Sequence, residues 1–319
     1  MIKEEIKELC GEFASRAMEL YEIPGICLGI SLKGEKLIEA AGRGSLTEGS
    51  PIGRETAFRC GSLAKLLTSE AVMRLAEDGK ISLSDRAARL LPETDIKGEA
   101  WRRTEVIHML THTSGMGSSE TAGEGMMFSW KPDERRFRYS DTAYDLLGLI
   151  VREKTGREFE EYIEEEIFRP LHMECSSFMP EERGTAACGC EKDENKRMKP
   201  VECLSWDKKT NPSSGLVSTA GDLLRLSEYF MEGAPYGDLR WKKYADIPGG
   251  GSVSEAGWFL KKTAGFCAAG HEGGVRGFRS CLWMCRERKL AVTVLVNISA
   301  FPAGKTGLRL LERLCALQI

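Results

Sequence analysis

Ile2, Ile6, Leu9, Phe13, Ala17 and Leu20 recur at spacings of three and four among charged residues, which predicts an amphipathic helix over 2–21 with one apolar stripe to cover. Two short apolar runs follow at 26–31 and 36–41, joined at Lys33-Gly34, and they predict a hairpin with Gly34 in the turn. Strand-like runs return only near the far end, at 265–269, 278–285 and 290–297, before a leucine-rich helix predicted over 306–317. Between the two ends the helical period dominates: 62–78 closing at Gly79, 141–155 closing at Gly156, then 158–167 and 219–231. Both glycines stand where a left-handed C-cap is wanted.

Strands first, helices in the middle and strands last predict an α+β protein. Its antiparallel sheet is built from both termini and flanked by the terminal helices, and an all-helical domain is inserted between the second and third strands. The expected division is a sheet domain of 1–61 and 233–319 and a helical domain of 62–232, with a cleft at their junction. Residues 231–257, which border that cleft, carry no readable motif.

Composition narrows the function. At 319 residues the chain exceeds a minimal binding module, and 45 basic against 48 acidic residues give a net charge of −3, no field for a nucleic acid. The longest apolar stretches, such as 291–296, fall far short of the roughly 18 residues of a membrane span, so no membrane partner is expected. Acidic residues at positions 4 and 5 and the lack of an apolar core make 1–10 unlike a secretory signal, and a cytoplasmic location is expected. The 11 cysteines are odd in number and scattered, and Cys188-Gly-Cys190 lacks zinc-ribbon spacing, so they read as reduced thiols. No metal and no cofactor is expected. His108 and His112 have the i, i+4 spacing of a zinc helix, but Met109 stands where that motif needs glutamate. Gly304-Lys-Thr306 lacks the earlier glycine of a phosphate loop, and no G-x-S-x-G elbow occurs.

Ser62-Leu-Ala-Lys65 is the most informative segment. On a helix starting near Ser62, residues three apart share a face, so the lysine amine reaches the serine hydroxyl. Apolar neighbours and the positive end of the helix dipole both favour the neutral amine, which can take a proton. Spacing alone equally allows Ser62 to be a helix N-cap and Lys65 a solvated side chain. Ser205-Trp-Asp-Lys208 repeats the spacing without a helical pattern after it.

Five segments occur in order: Phe58-Arg-Cys-Gly-Ser62-Leu-Ala-Lys65, Leu110-Thr-His-Thr-Ser-Gly115, Tyr139-Ser-Asp141 before Tyr144-Asp-Leu-Leu-Gly148, Gly215-Leu-Val-Ser-Thr-Ala220, and Gly270-His-Glu-Gly-Gly274. Together, from about Ile23 to Asn297, they resemble the serine beta-lactamase and penicillin-binding-protein superfamily, in its class C-like branch with DD-peptidases, D-aminopeptidases and esterases. The resemblance implies that Ser62 is acylated, that Lys65 is its base partner, and that Tyr139 opens the Y-x-N element and relays protons. Reading Ser140-Asp141-Thr142 as a shifted S-D-N triplet is the second choice. His271-Glu-Gly273 fills the third element in place of K-T-G. His271 would sit near Tyr139 and tune it, and the backbone N–H groups of Ser62 and Gly274 would form the oxyanion hole. A buried structural histidine is the alternative for His271. Lys305-Thr-Gly307 opens the terminal helix and Lys262-Thr-Ala264 precedes the strand, so both are set aside.

Two departures bear on substrate. Asp141 replaces the amide of Y-x-N, and Glu272 replaces the threonine of K-T-G, so both would repel a substrate carboxylate. Asp141, Glu272, Gly273 and Gly274 are the expected substrate-binding residues, with a helix cap as the competing role for Asp141. The expected activity is hydrolysis of a small-molecule ester, amide or peptide through an acyl-enzyme. A D-aminopeptidase, another peptidase, a beta-lactamase and a non-catalytic penicillin-binding-like sensor are the alternatives, and the oligomeric state is left open. Trp258, Trp283 and Phe278 are expected to pack the sheet, while Trp130 and Met126-Met127 line an acyl pocket or cover the helices.

Overall fold

The computed structural model describes residues 4–46, 51–117, 128–130, 132–178, 186–201, 211–234, 236–263 and 265–317. Met126-Met127 and Ser205-Trp-Asp-Lys208 lie outside the described residues.

The chain opens with α1 (Glu4–Tyr21), then β1 (Gly25–Leu32) and β2 (Glu35–Gly42). Leu32 pairs with Glu35, and Lys33 and Gly34 both take positive φ, as the two-residue hairpin turn requires. A short strand, β3 (Phe58–Gly61), leads into α2 (Ala64–Glu77). Then come α3 (Ala87–Leu90), α4 (Glu99–Arg103), α5 (Val106–Leu110), α6 (Asp141–Thr155) and α7 (Phe159–Ile163), which continues as a π turn over Glu164–Phe168. The region so far expected to be all-helical also holds β4 (Cys190–Lys192), β5 (Met198–Pro200) and β6 (Leu216–Ser218), before α8 (Ala220–Glu232). The last part is β7 (Lys243–Asp246), β8 (Ser252–Ser254), β9 (Phe259–Thr263), β10 (Phe266–Val275), β11 (Phe278–Cys285), β12 (Leu290–Val296) and α9 (Ala303–Ala316).

Eight strands form one antiparallel sheet in the order β2-β1-β12-β11-β10-β9-β8-β7. Both ends of the chain meet within it, where β1 pairs with β12 from Ile26–Val296 to Leu32–Leu290. This is the α+β arrangement that the pattern predicts. α1 and α9 cover one face, where Ile26, Leu28 and Ile30 of β1 pack with Val292, Val294, Leu310 and Leu314. α8 lies on the other face, close enough that a Cβ on Gly29 would come 3.2 Å from Leu224. The second core runs from that face into the helices, through Leu66, Met73, Leu147, Ile150 and Phe168. β3 pairs with β6 in a separate two-stranded sheet and leans on β10, where a Cβ on Gly273 would fall 2.0 Å from the Cys60 carbonyl oxygen. The segment entering α2 is thereby held against the main sheet.

β10 is longer than the 265–269 run suggests, and His271 lies within it. β9 pairs with β10 only as far as Gly270, so among the described residues no strand pairs with the β9-side edge of β10 from His271 to Val275. Trp258, Trp283 and Phe278 are buried as expected. Among the described residues no helix is long and apolar enough to cross a membrane.

Candidate active site

Ser62 follows β3 in a turn and is half-buried, two residues before the start of α2 at Ala64. Leu63, the N-cap, makes no side-chain capping bond, and the Ser62 hydroxyl points to Lys65. α2 runs through the core with Ala64–Glu70 all buried, and Lys65 is 1% exposed. Its Nζ lies 3.2 Å from Ser62 Oγ, 2.7 Å from the Ser213 carbonyl oxygen and 2.6 Å from Asp141 Oδ1. Burial holds the amine below the usual lysine value, and Asp141 pulls it back up.

Tyr139 is brought to this pair by the extended stretch before α6. Its ring centroid is 4.8 Å from Lys65 Nζ. Burial, reinforced by the Asp141 carboxylate, holds the phenol well above its usual value, and the Ser62 hydroxyl acts in the opposite direction. The tyrosine is therefore neutral at physiological pH. Ser140 caps α6, accepting from the Ala143 N–H at 3.0 Å and donating to the Gly117 carbonyl at 3.1 Å. That bonding excludes Ser140 as the serine of a shifted S-D-N element. The competing cap role of Asp141 thus falls to its neighbour, and the Asp141 carboxylate, 39% exposed, is paired with Lys65.

β10 supplies the opposite wall. His271 is buried, stacks on Phe259 at 4.3 Å between centroids, and stands 6.1 Å from Tyr139 by the same measure. Its Nδ1 donates to the Glu272 carbonyl at 2.6 Å, so in the neutral ring the proton sits on Nδ1 and Nε2 presents a lone pair without a hydrogen-bond partner. His271 is thus near Tyr139 as expected, but the two are not hydrogen-bonded. Glu272 alternates with it and points away, toward the N-terminus of α9, where a Cβ on Gly304 would meet its Oε2 at 1.7 Å. It lines a cavity with Gly273, Gly274, Arg279 and Ser280, on the other side of the strand from Lys65. Any repulsion of a carboxylate by Glu272 acts there. Gly274 abuts β3, because a Cβ on Gly61 would lie 2.8 Å from the Gly274 nitrogen. The N–H groups of Ser62 and Gly274 therefore belong to neighbouring stretches of backbone.

Three contributors escaped the sequence reading of the site. His112 stacks on Tyr139 at 4.5 Å, and its Nδ1 accepts from the Ser140 N–H at 3.1 Å. It was visible in Leu110-Thr-His-Thr-Ser-Gly115, but only as a metal candidate; His108, its supposed partner, accepts from the Glu105 N–H at 3.1 Å. Ser213 acts through a carbonyl oxygen, which no side-chain pattern marks. Asp145 holds that loop by accepting from the Ser213 N–H at 3.0 Å.

Burial, then the nearby Lys65, lowers His271 to about 3, and the same causes with His271 added hold His112 well below its usual value. Both are neutral when folded and protonate near 6.5 when unfolded. Stability is therefore fully present above about pH 6.5 and lost as the pH falls toward the folded values, by up to about 1.4 kcal/mol per pH unit for each ring. Thermal melts are expected to show Tm falling from pH 6.5 to 5, with a shallower slope in His271→Gln. Equal slopes in the two proteins would contradict this.

The sheet topology, the inserted helices and the serine–lysine–tyrosine cluster beside the open edge of β10 define the beta-lactamase/transpeptidase fold. The chain belongs to the Beta-lactamase family, which matches residues 12–314. Penicillin-binding protein 4 of Amycolatopsis lactamdurans is 25% identical over 230 residues, 66% of this chain and 60% of that protein. The D-alanyl-D-alanine-carboxypeptidase/endopeptidase AmpH of Escherichia coli strain K12 is 23% identical, over 77% of this chain and 72% of its own length. The chain spans about half the length of several curated relatives, between 41% and 60% of three of them. The octameric penicillin-binding protein homologue from Pyrococcus abyssi superposes with a TM-score of 0.86 at 25% identity, covering 99% of this chain and 78% of that one. The D-amino acid amidase from Ochrobactrum anthropi has a TM-score of 0.81 at 19% identity, covering 99% and 100%, and shares the fold.

Proposed function

We propose that the chain is a cofactor-independent serine hydrolase that cleaves a small-molecule ester or amide through an acyl-enzyme at Ser62. The observation that carries this is a half-buried serine hydroxyl bonded to a buried amine 3.2 Å away, with a buried phenol whose ring centroid is 4.8 Å from the same amine. In its neutral form Lys65 takes the Ser62 proton while Oγ attacks the substrate carbonyl carbon. The oxyanion so formed faces the N–H groups of Ser62 and Gly274. Tyr139 passes its proton to the departing alcohol or amine and is replenished from Lys65. A water then enters, loses a proton along the same route, and releases the acid from Ser62. The phenol works as a neutral relay, since burial makes its anion costly. His112 positions it by stacking on it, and His271 packs beside it.

Uncharged esters and amides suit the site better than substrates with a carboxylate, because Asp141 places negative charge beside Lys65. The same carboxylate favours, as the second reading, an amidase or aminopeptidase for substrates with a free amine, and the named activity of AmpH keeps peptide substrates in view. A panel of short-chain nitrophenyl esters, D-aminoacyl amides and cephalosporins, followed through the first turnovers, separates these. Esters are expected to turn over fastest and repeatedly. One equivalent of product and then arrest would indicate a sensor, and faster cephalosporin hydrolysis would overturn the ester reading.

A further inference from the structure

Lys65 spends its three donors on Ser62, Ser213 and Asp141, and the contact to Asp141 is the shortest, at 2.6 Å. With the amine 1% exposed, water screens this pair little, so the carboxylate governs both where the amine sits and whether it keeps its proton. Among the described residues, no other group around Lys65 combines direct contact with the amine and a charge. Tyr139 and Tyr144 present rings, at 4.8 and 5.5 Å from Nζ to the centroids. His112, after α5, and His271, on β10, are neutral across the working pH range. Asp145, one turn further along α6, acts on Lys65 from a distance and commits its carboxylate to Ser213. An amide at 141 would keep the shape of the contact and remove its charge.

We infer that Asp141 is a positioning residue for the base: its carboxylate holds the Lys65 amine between Ser62 and Ser213 and keeps it charged, so that Lys65 becomes free to take the serine proton only toward alkaline pH. This rests on Lys65 being the base of the proposed hydrolysis, and it assigns the departure at 141 to the enzyme's own proton inventory rather than to a substrate contact. Freeing the base moves one proton from Lys65 to solvent. Acylation then moves one proton from Ser62 to Lys65.

The test compares full-length wild type, Asp141→Asn and Asp145→Asn. The rate of acylation by 4-nitrophenyl acetate is followed against pH, with kcat and KM separated. The acid limb is expected to move down by about one to three pH units in Asp141→Asn, about the effect of one opposite charge at this range. Below the wild-type limb this raises the rate at least about tenfold, carried mainly by kcat. Asp145→Asn is expected to move the limb by less than about one unit. A limb that stays in place or rises in Asp141→Asn overturns the inference, as does a change confined to KM. A second measurement is independent of turnover: the pH titration of the Lys65 side-chain NMR signal, assigned by its loss in Lys65→Arg. Its midpoint is expected to fall in Asp141→Asn and again in Asp141→Ser, which guards against one variant misfolding. If no protein turns over the ester, the proposed hydrolysis fails, and the lysine titration still decides the role of Asp141.

Discussion

Ser62→Ala is expected to lower ester hydrolysis by about 10⁴- to 10⁶-fold, the loss seen when a hydrolase is deprived of its attacking serine. The fold should survive the change. Ser62 is half-buried and caps no helix, while Lys65 keeps its bonds to Asp141 and Ser213. What is lost inside the protein is one hydroxyl that accepts from a buried amine, a cost of about 1–3 kcal/mol. Activity and stability therefore separate: turnover collapses, and the melting temperature moves by a few degrees at most. Turnover within about tenfold of wild type would mean that Ser62 is not the nucleophile, whatever its neighbours.

Gly61→Ala is the second large effect, and it reaches the site through the backbone. Gly61 has φ +53, so a side chain there costs roughly 1–2 kcal/mol before any contact is considered. The new Cβ would also lie 2.8 Å from the Gly274 nitrogen and 3.0 Å from that residue's carbonyl carbon and oxygen. Those atoms belong to a strand anchored in the eight-stranded sheet, so β3 is the part that must yield. Moving β3 displaces the N–H of Ser62 relative to that of Gly274. Loss of one such donor costs about 10²- to 10³-fold in kcat, which is the expected fall, together with a lower melting temperature. Steady-state kinetics and a thermal melt check both parts. Wild-type kcat in Gly61→Ala would show that the close approach of β3 and β10 does not serve catalysis.

The helices α1, α6 and α8 were legible because each has one apolar face at a regular period, and β1, β11 and β12 because they are short, largely apolar runs. β7, β8 and β9 were not: they are three to five residues long, and β9 carries Lys261 and Lys262. The failure at β10 has another cause. Its second half contains Gly270, Gly273 and Gly274, which give no strand signal, yet a Cβ at Gly273 or at Gly61 would collide with the facing backbone. The local pattern is weakest where the site demands that two backbones touch.

The candidate site was legible where side chains bear the chemistry. Ser62, Lys65, Tyr139 and His271, far apart in sequence, are brought within a few ångströms of one another. It was illegible where position matters more than residue type. A carbonyl of Ser213, the stacking of His112 and the turning of Asp141 toward Lys65 each depend on how α5, α6 and the loop before β6 pack around α2. Glu272 shows the same limit in reverse, because strand alternation sends it toward α9 although it neighbours His271 in sequence.

Active-site mass spectrometry gives the most direct test of whether Ser62 attacks substrate. Native protein is treated with a fluorophosphonate, digested, and compared with Ser62→Ala under the same conditions. The expected result is a single stable adduct on the peptide containing Ser62, absent from the variant. An adduct on another serine, or an unmodified Ser62 in protein that hydrolyses esters, would contradict the acyl-enzyme mechanism.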